Sequence, residues 1–239
     1  MKVKEKMAAL REIGVAFAEC FLPQSCVLCQ RRIPSGERLC RPCRASLEPK
    51  SVVFCPICRF KGEESPQGSD CPLHGFAEAR AAVPTEKAVL SLIHRVKYSR
   101  ERELAPFLAE LILRAGIVDE DFESFDVMCP VPLFRTRIRE RGFNQSTEIA
   151  RPIETASGVP LVADLLARLQ PTREQAKLPA ELRRRNLLGS FAVTRPSLVA
   201  GKNVVLVDDV VTTGSTVAAC IEALRESEVE RVLVVAVAA

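Results

Sequence analysis

The 239-residue chain carries 34 Lys/Arg against 30 Asp/Glu, a formal charge of +4, and 47% of it is apolar. That length accommodates one large domain and one small one, and the apolar share supports a packed core. No uninterrupted apolar run reaches the length of a membrane span, so membrane insertion is not expected. The positive excess lies in residues 1–80, with 13 Lys/Arg against 9 Asp/Glu, while residues 81–239 hold 21 of each. Two metal ions on seven thiolates would nearly cancel that excess, so global charge does not argue for nucleic acid.

Residues 1–25 predict an amphipathic helix, with Leu10, Ile13, Phe17 and Phe21 on one side. Glu12 and Glu19 bracket or interrupt its apolar stretch and no small-residue cleavage site follows, which argues against a secretory signal. Four pairs of equal internal spacing come next: Cys26/Cys29, Cys40/Cys43, Cys55/Cys58 and Cys71/His74. A two-residue gap lets both side chains of a pair face one ion from a knuckle turn, and each pair supplies half a tetrahedron. The spacing predicts two zinc ions. A sequential assignment places Cys26, Cys29, Cys40 and Cys43 on one ion and Cys55, Cys58, Cys71 and His74 on the other. An interleaved assignment fits the same spacing. Four protein ligands leave no open position, so both sites read as structural. Thiols without an export signal predict a reduced, cytoplasmic setting. Cys20, Cys129 and Cys220 lie in apolar surroundings and read as buried free thiols.

From about Ala81 the pattern changes to alternating strands and helices. A helix is expected over Glu101–Ala115, a buried strand over Asp126–Leu133, and then a basic loop from Arg135 to Gln145. Another helix follows over Gln145–Ser157, closed by Gly158 and Pro160. Leu161–Leu169 reads as a strand or short helix, and Lys177–Asn186 as a charged helix. Lys202–Asp208 is a strand, Thr216–Ser227 its helix, and Arg231–Ala238 a last buried strand. That alternation predicts an α/β domain with a parallel sheet over 81–239, preceded by a small cysteine module over 26–80.

The richest stretch is V-V-L-V-D-D-V-V-T-T-G-S-T, from Val204 to Thr216. Open α/β sheets bind ligands beyond the carboxyl ends of their strands. A loop feeding a helix amino end favours a phosphate. Thr212, Thr213, Ser215 and Thr216 offer hydroxyl donors, and Gly214 allows a tight turn with close backbone approach. Asp208 and Asp209 would repel a phosphate but accept hydrogen bonds from sugar hydroxyls. The combination fits a ribose 5-phosphate, and the sequence contains no G-x-x-x-x-G-K-[ST] phosphate loop.

This run resembles the signature of the type I phosphoribosyltransferases, which bind 5-phosphoribosyl-1-pyrophosphate (PRPP). The wider order of motifs resembles the ComF family of bacterial competence-related proteins: paired Cys-x2-Cys knuckles, H-R-V-K-Y at His94–Tyr98, V-P-L, R-E-R-G-F-N-Q at Arg139–Gln145, R-L-x-x-T-x-x-Q-x-x-L from Arg168, Arg183–Asn186, and the acid–hydroxyl loop. Cys71-Pro-Leu-His74 departs from the family's second Cys, although His serves zinc equally well. The resemblance implies a type I phosphoribosyltransferase-like domain behind a double zinc ribbon. It implies that Asp208 and Asp209 contact the ribose hydroxyls and that residues 212–216 bind the 5-phosphate. It further implies that Lys97 and Tyr98 stand at the pyrophosphate, with magnesium carried by PRPP. Arg137, Arg139, Arg141 and Asn144 suit an anionic ligand. Two functions are carried forward. One is a phosphoribosyltransferase-like enzyme of unknown acceptor. The other is a non-catalytic, PRPP-regulated factor of DNA uptake that touches single-stranded DNA or docks competence machinery proteins.

Overall fold

A computed structural model describes residues 24–56, 58, 75–169 and 189–239. The amino-terminal helix, Cys20, Cys71, His74, and the charged segment 177–186 lie outside the described residues. The chain divides into two compact units, Met1–Glu48 and Pro49–Ala239.

In the smaller unit, the chain folds back on itself through an isolated bridge between Ser25 and Arg32. The Cys26 N–H donates to Arg31 O (2.8 Å) and the Val27 N–H to Arg38 O (3.0 Å). Gln30 takes a left-handed backbone conformation at the close of the knuckle. A short helix, α1 (Arg41–Ser46), begins immediately after Cys40 with proline in its first turn, where a missing N–H is harmless. Val27, Leu39 and Leu47 are its only large aliphatic core residues among those described.

The larger unit is built on a five-stranded sheet. Its strands are β1 (Val52–Phe54), β2 (Ala77–Val83), β3 (Val127–Pro130), β6 (Asn203–Val210) and β7 (Arg231–Ala238), in the spatial order β1-β2-β7-β6-β3. The pairs β2–β7, β7–β6 and β6–β3 are parallel; β1 adds antiparallel to the edge. A hairpin of β4 (Leu166–Arg168) and β5 (Phe191–Val193) stands apart as a second sheet. The expected strands over 126–133, 202–208 and 231–238 are present. β1 and β2 were not anticipated: A-E-A-R-A-A-V carries a weak alternation, and pairing with β7 is what buries it.

The helices are α2 (Lys87–Tyr98), α3 (Ala105–Arg114), α4 (Arg135–Arg141), α5 (Gln145–Ser157) and α6 (Ser215–Arg225). Helix α3 packs on β7, β2 and α5, and α5 packs on β6 and β3. On the opposite face, Val217, Cys220, Ile221 and Leu224 of α6 join Val204, Leu206, Val232 and Val234 in one apolar cluster. With helices on both faces, the central strands are buried along nearly their whole length, which is why they read as continuous apolar runs. All parallel strands end at the same edge, and the loops after β3 and β6 open there. Among the described residues, no helix is long and apolar enough to cross a membrane.

One expectation is corrected. The basic stretch after β3 is a helix, not a loop: Arg135–Arg141 forms α4, and Gly142 closes it at φ +86°. Arginine at every second position hid a helical period that helix-favouring side chains and a terminal glycine support. The expected helix over 101–115 is also split, into a 3-10 turn (Arg102–Leu104) and α3, because Pro106 fits only a first helical turn.

Candidate functional site

Strand β6 ends in two acids. Both are buried, Asp208 at 8% exposure and Asp209 at 2%. Successive strand residues point to opposite faces, so each carboxylate meets different partners. Asp208 accepts the Ser146 hydroxyl from the start of α5 (3.2 Å) and the N–H of Asp209 (2.8 Å). Asp209 Oδ1 accepts from Lys97 Nζ at 2.8 Å, across 112 residues of sequence. Its Oδ2 is buried and has no hydrogen-bond partner among the described residues. Burial drives the Asp208 carboxyl up to about 7, and the charge of Asp209 adds to it. Lys97, the Asp209 N–H and Ser146 pull the other way.

Beyond the acids the chain turns through Val211–Gly214 into α6. Gly214 is the residue before the helix, at φ +72°. A Cβ there would stand 2.1 Å from the Pro56 carbonyl oxygen, so glycine is required by both backbone and space. No side chain caps the first turn of α6, which leaves its leading N–H groups available to an anion. Thr212 and Thr213 are exposed, Ser215 is buried and Thr216 half-buried. The Thr213 and Ser215 hydroxyls lie 3.0 Å apart. Residues 212–216 span the turn and the first two residues of α6.

Lys97 and Tyr98 are the last two residues of α2 rather than part of a loop. Tyr98 is exposed, stacks on His94 at 4.5 Å between ring centroids, and lies 5.6 Å from the Arg141 guanidinium. Arg141 also donates to Gln145 Oε1. Burial holds Arg141 below the ordinary guanidinium value, and Asp209 partly offsets that. Arg141 thus joins Lys97 at the acid pair. Arg139 does not share that environment: it is exposed on α4. Asn144 is committed elsewhere. Its Oδ1 accepts the Ser146 N–H as the cap of α5, and its Nδ2 donates to Val131 O at 2.9 Å. It fixes the turn after β3 and the start of α5, and through Ser146 it helps place Asp208.

Sequence reasoning missed three participants. Ser146 lies one residue beyond the G-F-N-Q motif and would have been found by reading that motif as a helix cap. Arg168, at the end of β4, lies over the Phe191 ring at 5.2 Å; burial lowers it, with smaller influences from Cys220, Arg137 and Asp208. Pro56 is named only by its contact with Gly214. Cys129 and Cys220 are buried free thiols as expected, and burial raises Cys129 to about 12.

In the smaller unit, the ligand atoms of Cys26, Cys29, Cys40 and Cys43 all lie within 4.8 Å of one another. Cys29 Sγ and Cys40 Sγ are 3.6 Å apart. Four sulfurs at roughly 2.3 Å from one zinc would stand about 3.8 Å apart, so the cluster fits a tetrahedral ion. Burial raises the Cys26 thiol, but N–H groups of Cys40, Cys29 and Leu28 outweigh it and bring the value down to about 6. Sharing with Cys40 raises Cys43 to about 12. This cluster can hold a metal ion. Of the second set, Cys55 is buried and Cys58 exposed, while Cys71 and His74 lie outside the described residues.

Strand β6 thus ends in two acids, followed by a left-handed glycine and an uncapped helix start. Residues 105–239 match the phosphoribosyl transferase domain model. The chain belongs to that family. It is 34% identical over 205 residues to "DNA utilization protein YhgH" of Escherichia coli (strain K12), covering 82% of this chain and 88% of that protein. It is 32% identical over 152 residues to "Competence protein F" of Haemophilus influenzae, covering 60% of this chain and 64% of that one. It is 25% identical over 189 residues to "Competence protein ComFC" of Bacillus subtilis, covering 75% of each. The ComF resemblance drawn from the motifs therefore holds.

Proposed function

We propose that the chain binds PRPP and transfers its phosphoribosyl group, as a phosphoribosyltransferase of the competence and DNA-uptake type. One observation carries this reading: a buried acid pair with an unpartnered oxygen, Asp209 Oδ2, stands beside the uncapped start of α6. A buried acceptor without a partner is costly, and a sugar hydroxyl would satisfy it. The 5-phosphate would take the N–H groups and hydroxyls of residues 212–216, and Lys97, Tyr98 and Arg141 would face the pyrophosphate.

The chemistry follows from charge. The bond between the anomeric carbon and the pyrophosphate oxygen breaks, and pyrophosphate leaves with the electron pair. Positive charge develops on the ribose. Fixed carboxylates stabilise that charge more than they stabilise the ground state. A nucleophile then bonds to the anomeric carbon and releases its proton to solvent. Magnesium bound to PRPP would neutralise and orient the leaving group, with its ligands mainly phosphate oxygens and water. Zinc on Cys26, Cys29, Cys40 and Cys43 would close the smaller unit. Thiolate metal ligands suit a reducing, cytoplasmic setting, and the names of the relatives support a place in DNA uptake.

Calorimetry with PRPP and magnesium tests the site, with the Asp208→Ala/Asp209→Ala double variant expected to lose binding. Wild-type protein that fails to bind PRPP would defeat the reading. A screen of purines, pyrimidines and amines for pyrophosphate release identifies the acceptor.

The exposed Arg135, Arg137 and Arg139 of α4, with the relatives' names, favour a second reading: a PRPP-regulated factor that handles single-stranded DNA or docks a partner without turnover. Salt-dependent DNA binding that disappears in Arg137→Ala/Arg139→Ala, without pyrophosphate release under any acceptor, would select it.

A further inference from the structure

Gly214 does not stand alone at the head of α6. A Cβ on it would lie 2.1 Å from the Pro56 carbonyl oxygen and 3.4 Å from the carbonyl carbon. Both residues belong to the larger unit, although the match to the phosphoribosyl transferase domain begins only at residue 105. Pro56 is buried and follows directly on β1 and Cys55. Phe54, the last residue of β1, pairs with Ala79 and joins Val217 and Ile221 of α6 in one apolar cluster. The segment 54–56 thus meets α6 in two ways, through a side chain in the core and a backbone carbonyl at the helix start. The proline ring removes one of the two backbone rotations by which that carbonyl could turn away.

We propose that Pro56 is a positioning residue for the phosphate turn: its carbonyl is a stop against Gly214, so the donor site is completed by a segment outside the matched domain. The inference rests on the PRPP reading above. Gly214 takes φ +72°, and its own carbonyl accepts the Ala218 N–H at 2.8 Å in the first turn of α6. Its backbone therefore sets the direction of Thr213 and Ser215 on either side and of the leading helix N–H groups. Glycine is also the residue freest to leave such a conformation. A phosphate gains most from donors already in place, because ordering them on binding costs affinity. A buried stop beside the glycine supplies that order. By linkage, a phosphate that holds the turn also holds the segment packed against it.

PRPP affinity, with magnesium, is measured in wild type, Pro56→Ala, Pro56→Gly, Gly214→Ala and Pro56→Gly/Gly214→Ala, with thermal midpoints on the same samples. Alanine keeps a restricted backbone at position 56; glycine releases it. Pro56→Gly is expected to bind PRPP about 5- to 10-fold more weakly, and Pro56→Ala to stay within about threefold of wild type. In the double variant a Cβ at 214 meets a wall that can yield. Its loss is expected to fall short of the product of the single losses by about threefold or more. A merely structural role would lower the midpoints and leave the losses multiplicative. Hydrogen exchange on wild type decides the matter if Pro56→Gly does not fold: saturating PRPP and magnesium should slow exchange over residues 52–56. Multiplicative losses, Pro56→Gly that binds as wild type does, or exchange over 52–56 that PRPP leaves unchanged overturns the proposal. Each of those results leaves the donor site standing. Wild type that binds no PRPP removes the donor site and this inference with it.

Discussion

The cysteine cluster and the acid pair are both dense groups of ionisable side chains, yet they are held in opposite ways. The ligand atoms of Cys26, Cys29, Cys40 and Cys43 lie within 4.8 Å of one another, with few buried aliphatic residues among the described part of their unit. Asp208 and Asp209 are held by a sheet whose strands are buried on both faces and would keep their places without any ligand. A tetrahedral metal ion on the first group would leave no vacancy for substrate. The second keeps a buried oxygen without a partner and opens beside a helix start. A closed set of donors suits a structural metal; a preformed, incompletely satisfied set suits binding.

The largest effect that could break this contrast is metal removal. Structural zinc contributes roughly 10–16 kcal/mol in small modules. Chelation, or Cys40→Ser, is expected to unfold residues 24–48 and leave the sheet intact, read by limited proteolysis. Metal analysis should return close to two zinc per chain; loss of the sheet along with the metal would erase the distinction.

Next comes Gly214→Ala. A Cβ at 2.1 Å from a backbone carbonyl forces the loop to move, and the left-handed conformation adds about 1–2 kcal/mol. PRPP affinity should fall by more than about tenfold, with a lowered thermal midpoint. An alanine variant that binds normally would mean the loop does not need its observed shape.

Asp208→Asn sharpens the electrostatic side. Asp208 titrates at about 7 in the folded chain against an ordinary 3.8. Below about pH 4 both states are protonated and the group is neutral to stability. As pH rises from about 4 to 7 the unfolded chain ionises first, so the folded state loses stability, and the loss persists above 7. Asparagine removes that loss. The variant should be more stable than wild type at pH 8 and equal to it at pH 4, by thermal unfolding. A constant difference across that range would mean the carboxyl is not raised.

The smallest expected effect is at Arg139. It is exposed on α4, so Arg139→Ala should change PRPP affinity by less than about threefold, whereas Arg141→Ala should weaken it about tenfold. Equal losses would return both to the ligand site.

Local chemistry wrote much of this in the sequence. Two-residue gaps between cysteines show a metal knuckle because the turn geometry is contained within four residues. Two acids after a short apolar run, then hydroxyls and a glycine, show a strand, a tight turn and a helix start because each is a matter of adjacent backbone. The same holds for Gly158 as a helix closure, whereas Gly142 closes a helix that the sequence shows only as a basic loop. Only folding decided which distant groups meet. Lys97 reaches Asp209 across 112 residues and Ser146 reaches Asp208 across 62. The β2 strand is a strand because β7 lies beside it, and Gly214 has no room for a side chain because the Pro56 carbonyl stands beside it. Spacing along a chain carries the conformation of a few residues; distances across a sheet depend on strand order and packing, which no short window of sequence contains.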